Sequence, residues 1–309
     1  MNTKDHSLLV EKYRSKDLTE YVGNEHIKTQ IQKYLDQDDI QNFIFYGPAG
    51  TGKTTLAKLI VNNLECDYLY INASDERGIE TIRDKVTSFS STISFKKIKV
   101  VILDEADFLT IQAQASLRNT IETFSRSTRF ILTCNFVERI IDPLQSRCQV
   151  LKIVPPSKKE VAKHIKGILD KEETKFEIKA LVNIVNKHHP DIRKMLNTIQ
   201  LSTQNNELVV DESILVSSNY IKQIIEELKL KKTDFKKLRQ IIADSQVRDF
   251  EELYRALFDH ASEYALGREG SVAIILNEHQ YHSNFRIDKE VNIASALAKI
   301  IEIKKPQVI

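Results

Sequence analysis

The chain has 309 residues, 41% of them hydrophobic and 28% charged, the composition of a soluble globular protein long enough for two or three domains with their own cores. Lys and Arg number 45 against 43 Asp and Glu, a net charge of +2, which excludes a uniformly basic nucleic-acid coat; contact with nucleic acid must come from a local patch or from several copies of the chain. Also excluded are a membrane span, since no apolar run approaches roughly 20 residues, a signal peptide in the polar start Met1–Leu8, a zinc site of the CxxC type among Cys66, Cys134 and Cys148, and, with 8 Gly and 6 Pro, long disordered linkers.

The first apolar run, Phe43–Tyr46, leads directly into Gly47-Pro48-Ala49-Gly50-Thr51-Gly52-Lys53-Thr54, which fits G-x-x-x-x-G-K-[ST] at every required position. Glycines let backbone N–H groups curl around phosphate oxygens. Lys53 is expected to reach the outer phosphates of ATP, and the Thr54 hydroxyl to ligate Mg2+. Thr55 carries the loop into a helix, 55–64, whose positive dipole end faces the same anion. A second strand, Tyr68–Ile71, precedes Asn72–Ile79 and a helix carrying Arg83 and Lys85. The segment Val86–Phe95 reads as a loop of little charge bearing Phe89, Ile93 and Phe95.

A third strand, Val100–Leu103, runs into Asp104-Glu105-Ala106-Asp107. Adjacent carboxylates at a strand end form the second half of a nucleotide site: Asp104 in the Mg2+ shell, Glu105 as the base that orients and deprotonates water. The letters also match a DEAD-box helicase, but the rest of the chain is helical where that family needs a second nucleotide-type domain. A helix over 112–124 and a fourth strand, Phe130–Thr133, follow, the strand leading to the polar end Cys134-Asn135. Next comes Ile141-Asp142-Pro143-Leu144-Gln145-Ser146-Arg147-Cys148, whose arginine has no carboxylate or phosphate close in sequence. The fifth run is Val150–Val154. Strands alternating with helices predict a parallel α/β sheet with right-handed crossovers, and continuous apolar character suits strands buried on both faces. After Pro155-Pro156 the spacing is helical: 158–170, 177–187, 191–201, 220–228, 234–245, 250–266, 271–279 and 289–303. The polar stretch Lys229–Thr233 marks a boundary between two helical blocks.

Together these residues resemble the AAA+ ATPases, and more narrowly the clamp loaders: replication factor C small subunits and their phage counterparts. The resemblance implies an α/β P-loop AAA+ domain with a five-stranded parallel sheet (1–155), a small helical lid (156–230) and an all-α collar (231–309). Glu11-Lys12-Tyr13-Arg14 resembles the family's amino-terminal box, with Ser15 in place of the family proline, and Tyr21–Glu25 the second box; Tyr13, Arg14 and Val22 would wrap the adenine, with core packing the alternative for Tyr13. Asn72–Ile79 is close to a stretch specific to clamp-loader subunits, and implies that Arg77, Ile79, Arg83 and Lys85 track duplex DNA, which backbone amides and basic side chains grip without reading sequence. Gln112–Glu122 resembles the helix linking DNA contact to catalysis; Arg118, and less so Gln114, are its candidates, a surface salt bridge being the alternative for Arg118. Asn135 matches sensor 1. Arg193, in His189–Lys194, matches sensor 2, which reaches the γ-phosphate of its own subunit. Phe89, Ile93 and Phe95 would plug an apolar groove on the sliding clamp or pack into the subunit's own core. Ser146-Arg147-Cys148 matches the family motif that supplies an arginine finger in trans.

The implied protein is a DNA- and clamp-stimulated ATPase in a five-membered ring with itself and a second loader subunit. Its partners are a sliding clamp and primer–template DNA, with no membrane. The stretch Asn277–His282 is more similar to the phage subunit, and the implied location is cytoplasmic, that of the bacterial host for a phage protein. Two rivals share the motifs: another AAA+ DNA motor, such as a branch-migration helicase, and a non-hydrolysing loader scaffold.

Overall fold

The structure, a computed structural model, describes residues 8–209, 212–230, 232–245, 247, 249–283 and 288–304, with the backbone alone for 212–219. Met1–Ser7 of the polar start and Lys231 of the polar boundary lie outside the described residues. The chain forms two compact units that divide after Val209.

In the first unit, α1 (Leu9–Lys12) and α2 (Glu25–Leu35) precede β1 (Phe43–Tyr46), α3 (Lys53–Asn62) and β2 (Cys66–Asn72). A π-helix, Thr81–Thr87, then runs into α4 (Ser88–Ser91), followed by β3 (Ile98–Asp104), α5 (Ile111–Thr123), β4 (Thr128–Cys134), α6 (Asp142–Gln145) and β5 (Gln149–Lys152). The five strands form one parallel sheet in the order β2-β3-β4-β1-β5. Alternation along each strand divides the core between the two faces. Phe43, Phe45 and Ile102 pack with Ile31 of α2 and Leu56 and Ile60 of α3; Ile44, Val101, Leu103, Phe130 and Leu132 pack with Leu117 and Ile121 of α5 and with Ile82 and Val86. Each such side chain removed from water contributes about 1.5–3 kcal/mol.

Every residue of β3 is buried, including Lys99, whereas the edge strand β5 alternates. The apolar run read as a strand to Val154 leaves the sheet after Lys152. There the Asn24 side chain takes over, accepting from Val154 N at 2.8 Å and donating to Val154 O at 2.9 Å.

The lid helices are α7 (Lys158–Lys171), α8 (Ile178–His188) and α9 (Ile192–Ser202). A capping box starts α7: Ser157 Oγ accepts from Glu160 N at 3.3 Å and Glu160 Oε2 accepts from Ser157 N at 2.8 Å. The unit ends in a hairpin, β6 (Thr203–Gln204) and β7 (Glu207–Leu208), turned by Asn205 and Asn206 at φ 50° and 60°.

The second unit is helical: α10 (Glu212–Lys229), α11 (Phe235–Ser245), α12 (Glu251–Asp259), α13 (Ala261–Tyr264), α14 (Glu269–Ser283) and α15 (Lys289–Lys304). The sequence reading ended the lid at 230, but the structure assigns α10 to this unit. The reason is packing: Tyr220, Ile224 and Leu228 are buried in the same core as Leu238, Leu253, Val272, Ile293 and Leu297. The helix expected over 250–266 is interrupted at His260. Among the described residues no helix is long and apolar enough to cross a membrane.

Candidate active site

The phosphate loop leaves β1 and enters α3 through Gly52, where φ is +94° and a Cβ would meet Tyr21 Cε2 at 2.9 Å. At Gly50 φ is +71° and a Cβ would meet Asp191 Oδ1 at 2.0 Å. Both positions therefore need glycine for backbone and for space. The lid reaches the loop at this point: Ile192 N donates to Gly50 O at 3.3 Å, and Asp191 caps α9 by accepting from Lys194 N.

Lys53 is buried and donates to Gly47 O (2.9 Å), Pro48 O (2.8 Å) and Asn135 Oδ1 (2.9 Å). The phosphate-loop lysine and the side-chain amide that follows β4, 82 residues apart in sequence, thus meet directly. Burial pushes the Lys53 ammonium below its ordinary pKa, against the pull of nearby Asp104 and Asp107. Thr54 Oγ1 lies 2.8 Å from Asp104 Oδ1 and 3.0 Å from Oδ2. A hydroxyl beside a carboxylate is a hard oxygen donor pair suited to Mg2+, which takes few protein ligands and fills its shell with phosphates and water. No cluster of three metal-ligating His, Cys, Asp or Glu side chains occurs among the described residues.

Glu105 follows Asp104 in a left-handed conformation, φ 55°, and its N–H donates to Thr133 Oγ1 at 3.1 Å. Thr133 Oγ1 in turn donates to Asp104 Oδ1, so one hydroxyl links the Asp104 carboxylate to the backbone of Glu105. Tyr70 donates to Asp104 Oδ2 at 2.7 Å. Burial, and then its bond to Asp104, push the Tyr70 phenol upward. Asp107 Oδ2 accepts from Asn135 N and Phe136 N at 3.3 Å each, holding the turn that follows β4.

Of the expected nucleotide residues, Tyr13, Arg14, Val22, Ala49, Gly50, Thr51, Gly52, Lys53, Thr54, Thr55, Asp104, Glu105, Asn135 and Arg193 line one cleft. Gly47 and Pro48 supply the carbonyls that receive Lys53. Tyr13 is neither free nor core: its hydroxyl donates to Glu172, which also pairs with Lys12 at 2.6 Å, and burial followed by that carboxylate pushes the phenol up to about 12. The cleft also contains Tyr21, Thr133 and His164, which the sequence reading missed. Burial lowers the His164 pKa, so its neutral imidazole is favoured. Thr133 had a weak signal in the polar end of its strand; Tyr70 and His164 look like ordinary strand and helix residues.

Arg147 lies in a different groove, with Asp39, Asn42, Arg129 and Cys148. It does have a carboxylate, 25 residues upstream: its Nε donates to Glu122 Oε1 at 2.6 Å, its NH2 group bonds to the same oxygen, and NH1 donates to Pro143 O at 2.6 Å. The DNA candidates lie on the segment leading into the π-helix, on the π-helix itself and on α5. Arg77, Arg83 and Lys85 are exposed and Ile79 is half-buried. Lys85 is paired with Glu76 at 2.7 Å. Arg118 donates to the neighbouring Asn119 side chain rather than forming the salt bridge that is its alternative reading. Gln114 is buried, donating to Leu109 O and Arg139 O and accepting from Ile141 N.

Phe89 departs from the loop reading. It sits on α4, half-buried against the core, with Lys99 Nζ 5.3 Å from its ring centre. Ile93 and Phe95 are 91% and 105% exposed.

A phosphate loop between β1 and α3, acidic residues at the end of β3, an asparagine just after β4 and a helix start that meets the loop define an AAA-type P-loop ATPase. Residues 43–156 match the model of the AAA family, the ATPase family associated with various cellular activities. The fold is shared with the solved Thermotoga maritima RuvB Holliday junction branch migration motor, at a TM-score of 0.55 and 18% identity over 81% of this chain and 80% of that one. Sequence relatives narrow the class. The replication factor C small subunit of Sulfolobus acidocaldarius is 33% identical over 310 residues, 95% of each chain, and that of Saccharolobus solfataricus 32% identical over 97% of this chain and 96% of its own. The Haloarcula marismortui small subunit is 41% identical over 211 residues, 66% of this chain and a little under two thirds, 64%, of its own length. The chain belongs to the replication factor C small-subunit family.

Proposed function

We propose that the chain is the ATPase subunit of a sliding-clamp loader, binding Mg-ATP in the described cleft and hydrolysing it when the assembly engages clamp and primer–template DNA. One observation carries the reading: Lys53 bonded to Asn135, and Thr54 bonded to Asp104, bring phosphate loop, metal-shell carboxylate and sensor 1 to one point beside Glu105. Tyr13, Arg14 and Val22 line the cleft where the base would lie, and Arg193 lines it from the lid. Thr54 and Asp104 would hold Mg2+, which neutralises charge on the phosphates. Glu105 takes the proton of the attacking water, and Asn135 orients that water or the terminal phosphate. Lys53 stabilises charge developing on the transferred phosphoryl group.

Arg147 points to an assembly. It lies outside the cleft of its own chain, and its Glu122 pair is a partly exposed one, worth about 0–1 kcal/mol. A phosphate of the neighbouring subunit's ATP outcompetes such a partner, so the guanidinium acts in trans. Arg77, Ile79, Arg83, Lys85 and Arg118 would track the DNA backbone. Few contacts per subunit, multiplied around a five-membered ring, give strong, salt-sensitive binding despite a chain charge of +2. Exposed Ile93 and Phe95, with Phe89 as their packed base, suit an apolar groove on the clamp.

The test is ATP turnover by the assembly with and without clamp and primed DNA. Arg147→Ala is expected to leave ATP binding by the isolated subunit nearly intact and to cut turnover in the assembly severely. Mixing it with Glu105→Ala subunits restores part of the activity, because the two defects then fall at different interfaces. Loss of nucleotide binding by the Arg147→Ala monomer would defeat the in-trans role. Absence of turnover under every condition would favour a scaffold subunit.

A further inference from the structure

We propose that Tyr70 is a positioning residue for magnesium: its hydroxyl fixes the Asp104 carboxylate in the orientation that receives the metal beside Thr54. The proposal rests on the reading of the cleft as a Mg-ATP site.

Tyr70 stands on the edge strand β2, in register with Ile102 of β3. Its side chain crosses to the end of β3 and donates to Asp104 Oδ2 at 2.7 Å. Oδ1 receives the Thr133 hydroxyl, and Thr54 lies within 3.0 Å of both oxygens. Each carboxylate oxygen therefore has one hydroxyl partner outside the phosphate loop. This matters because the terminal torsion of an aspartate is soft, with broad rather than staggered wells. Its orientation has to be imposed by partners. Once Thr54 turns its oxygen to a metal, Tyr70 and Thr133 still hold the carboxylate. Partners of this kind, bonded to a ligand rather than to the metal, set how well the metal is held.

The ring is fixed in turn. Lys58, on α3 directly behind the phosphate loop, places Nζ 4.6 Å from the Tyr70 ring centre, and a cation on the ring face favours hydrogen-bond donation by the phenol. Packing alone does not require the hydroxyl: Tyr70 is 37% exposed, and phenylalanine would fill the same place. Tyr70→Phe thus removes one bond and little else. Tyr68, two residues earlier on the same face of β2 and 52% exposed, provides the control.

The experiment measures binding of a fluorescent ATP analogue, N-methylanthraniloyl-ATP, to the full chain in EDTA and through a Mg2+ titration, with Mn2+ binding in the presence of ATP read directly by electron paramagnetic resonance. Tyr70→Phe is expected to keep wild-type affinity in EDTA and wild-type melting temperature, while its Mg2+ and Mn2+ half-saturation rises about tenfold or more. Tyr68→Phe keeps the wild-type metal dependence. A purely packing role for Tyr70 predicts instead that Tyr70→Phe, which keeps the ring, matches wild type in metal half-saturation as well. Metal half-saturation within about twofold of wild type in Tyr70→Phe, with the wild-type chain showing normal metal dependence, overturns the proposal and leaves the Mg-ATP reading standing. A wild-type chain whose nucleotide binding responds neither to Mg2+ nor to Lys53→Ala overturns that reading itself.

Discussion

Thr133 carries more of the site than its place in the sequence suggests, since its single oxygen donates to Asp104 and accepts from the backbone of Glu105. It illustrates which residues a sequence discloses. Lys53, Thr54, Asp104, Glu105 and Asn135 are legible because each lies in a short run whose local order is the chemistry. Thr133, Tyr70 and His164 are not, because a threonine or tyrosine in a strand also satisfies β propensity, and only the folded sheet brings β2, β3 and β4 to one carboxylate. Glu122, the partner of Arg147, escapes for the same reason. The sequence excluded a CxxC zinc site among the three cysteines, and their environment in the fold adds a pH prediction. Burial pushes the thiols of Cys134 and Cys148 up to about 12, and that of Cys66 up to about 11. A raised thiol pKa keeps the proton on, so at pH 8 only about one Cys134 or Cys148 in ten thousand is thiolate. Native protein at that pH is expected to react with a disulfide reagent at least about a hundredfold more slowly than free cysteine, with three fast equivalents appearing on denaturation. A fast native equivalent would contradict the burial.

At the scale of elements, the buried lysine of β3 has a distinct job. Lys99 Nζ donates to Phe89 O at 2.7 Å and Thr92 Oγ1 at 2.9 Å, and also bonds Thr92 O. It satisfies carbonyls left open where α4 ends, at the root of the loop bearing Ile93 and Phe95. The same loop is tied on its other side by Ser94 to Asp67 at 2.6 Å and by Lys96 to Cys66 O at 2.9 Å. An apolar tip held this way meets a partner with little ordering cost. Lys99→Met is expected to speed amide hydrogen exchange across residues 92–96 and weaken clamp binding about tenfold or more, while ATP affinity is kept. Unchanged exchange there would remove Lys99 from this role. A lysine in an otherwise apolar strand signals something unusual in the sequence, but not which carbonyls it serves. The strands themselves were read well because those buried on both faces are continuous apolar runs; their ends were not, since Val154 is apolar yet paired with the Asn24 side chain, outside the sheet.

The whole molecule divides after Val209, and the two units have separate cores. The sequence placed the collar boundary about twenty residues later because Lys229–Thr233 is polar. A polar stretch marks a loop equally well inside a domain, and here Lys304 Nζ bonds Leu230 O and Thr233 Oγ1 within the second unit. A fragment ending at Val209 is therefore expected to fold and bind ATP with near wild-type affinity, yet sediment as a monomer at concentrations where the full chain assembles. Failure of that fragment to fold would show that the first unit depends on the second. Its final hairpin has a use of its own. Asn205 and Asn206 both take positive φ and are exposed, the two-residue turn that matches strand twist, and such loop tips accept inserted peptide readily. A short labelling sequence placed between them would put one dye on each subunit, at a turn whose residues line neither the cleft nor the groove of Arg147. Stepwise photobleaching of single assemblies would then count the copies of this chain in whatever complex it forms.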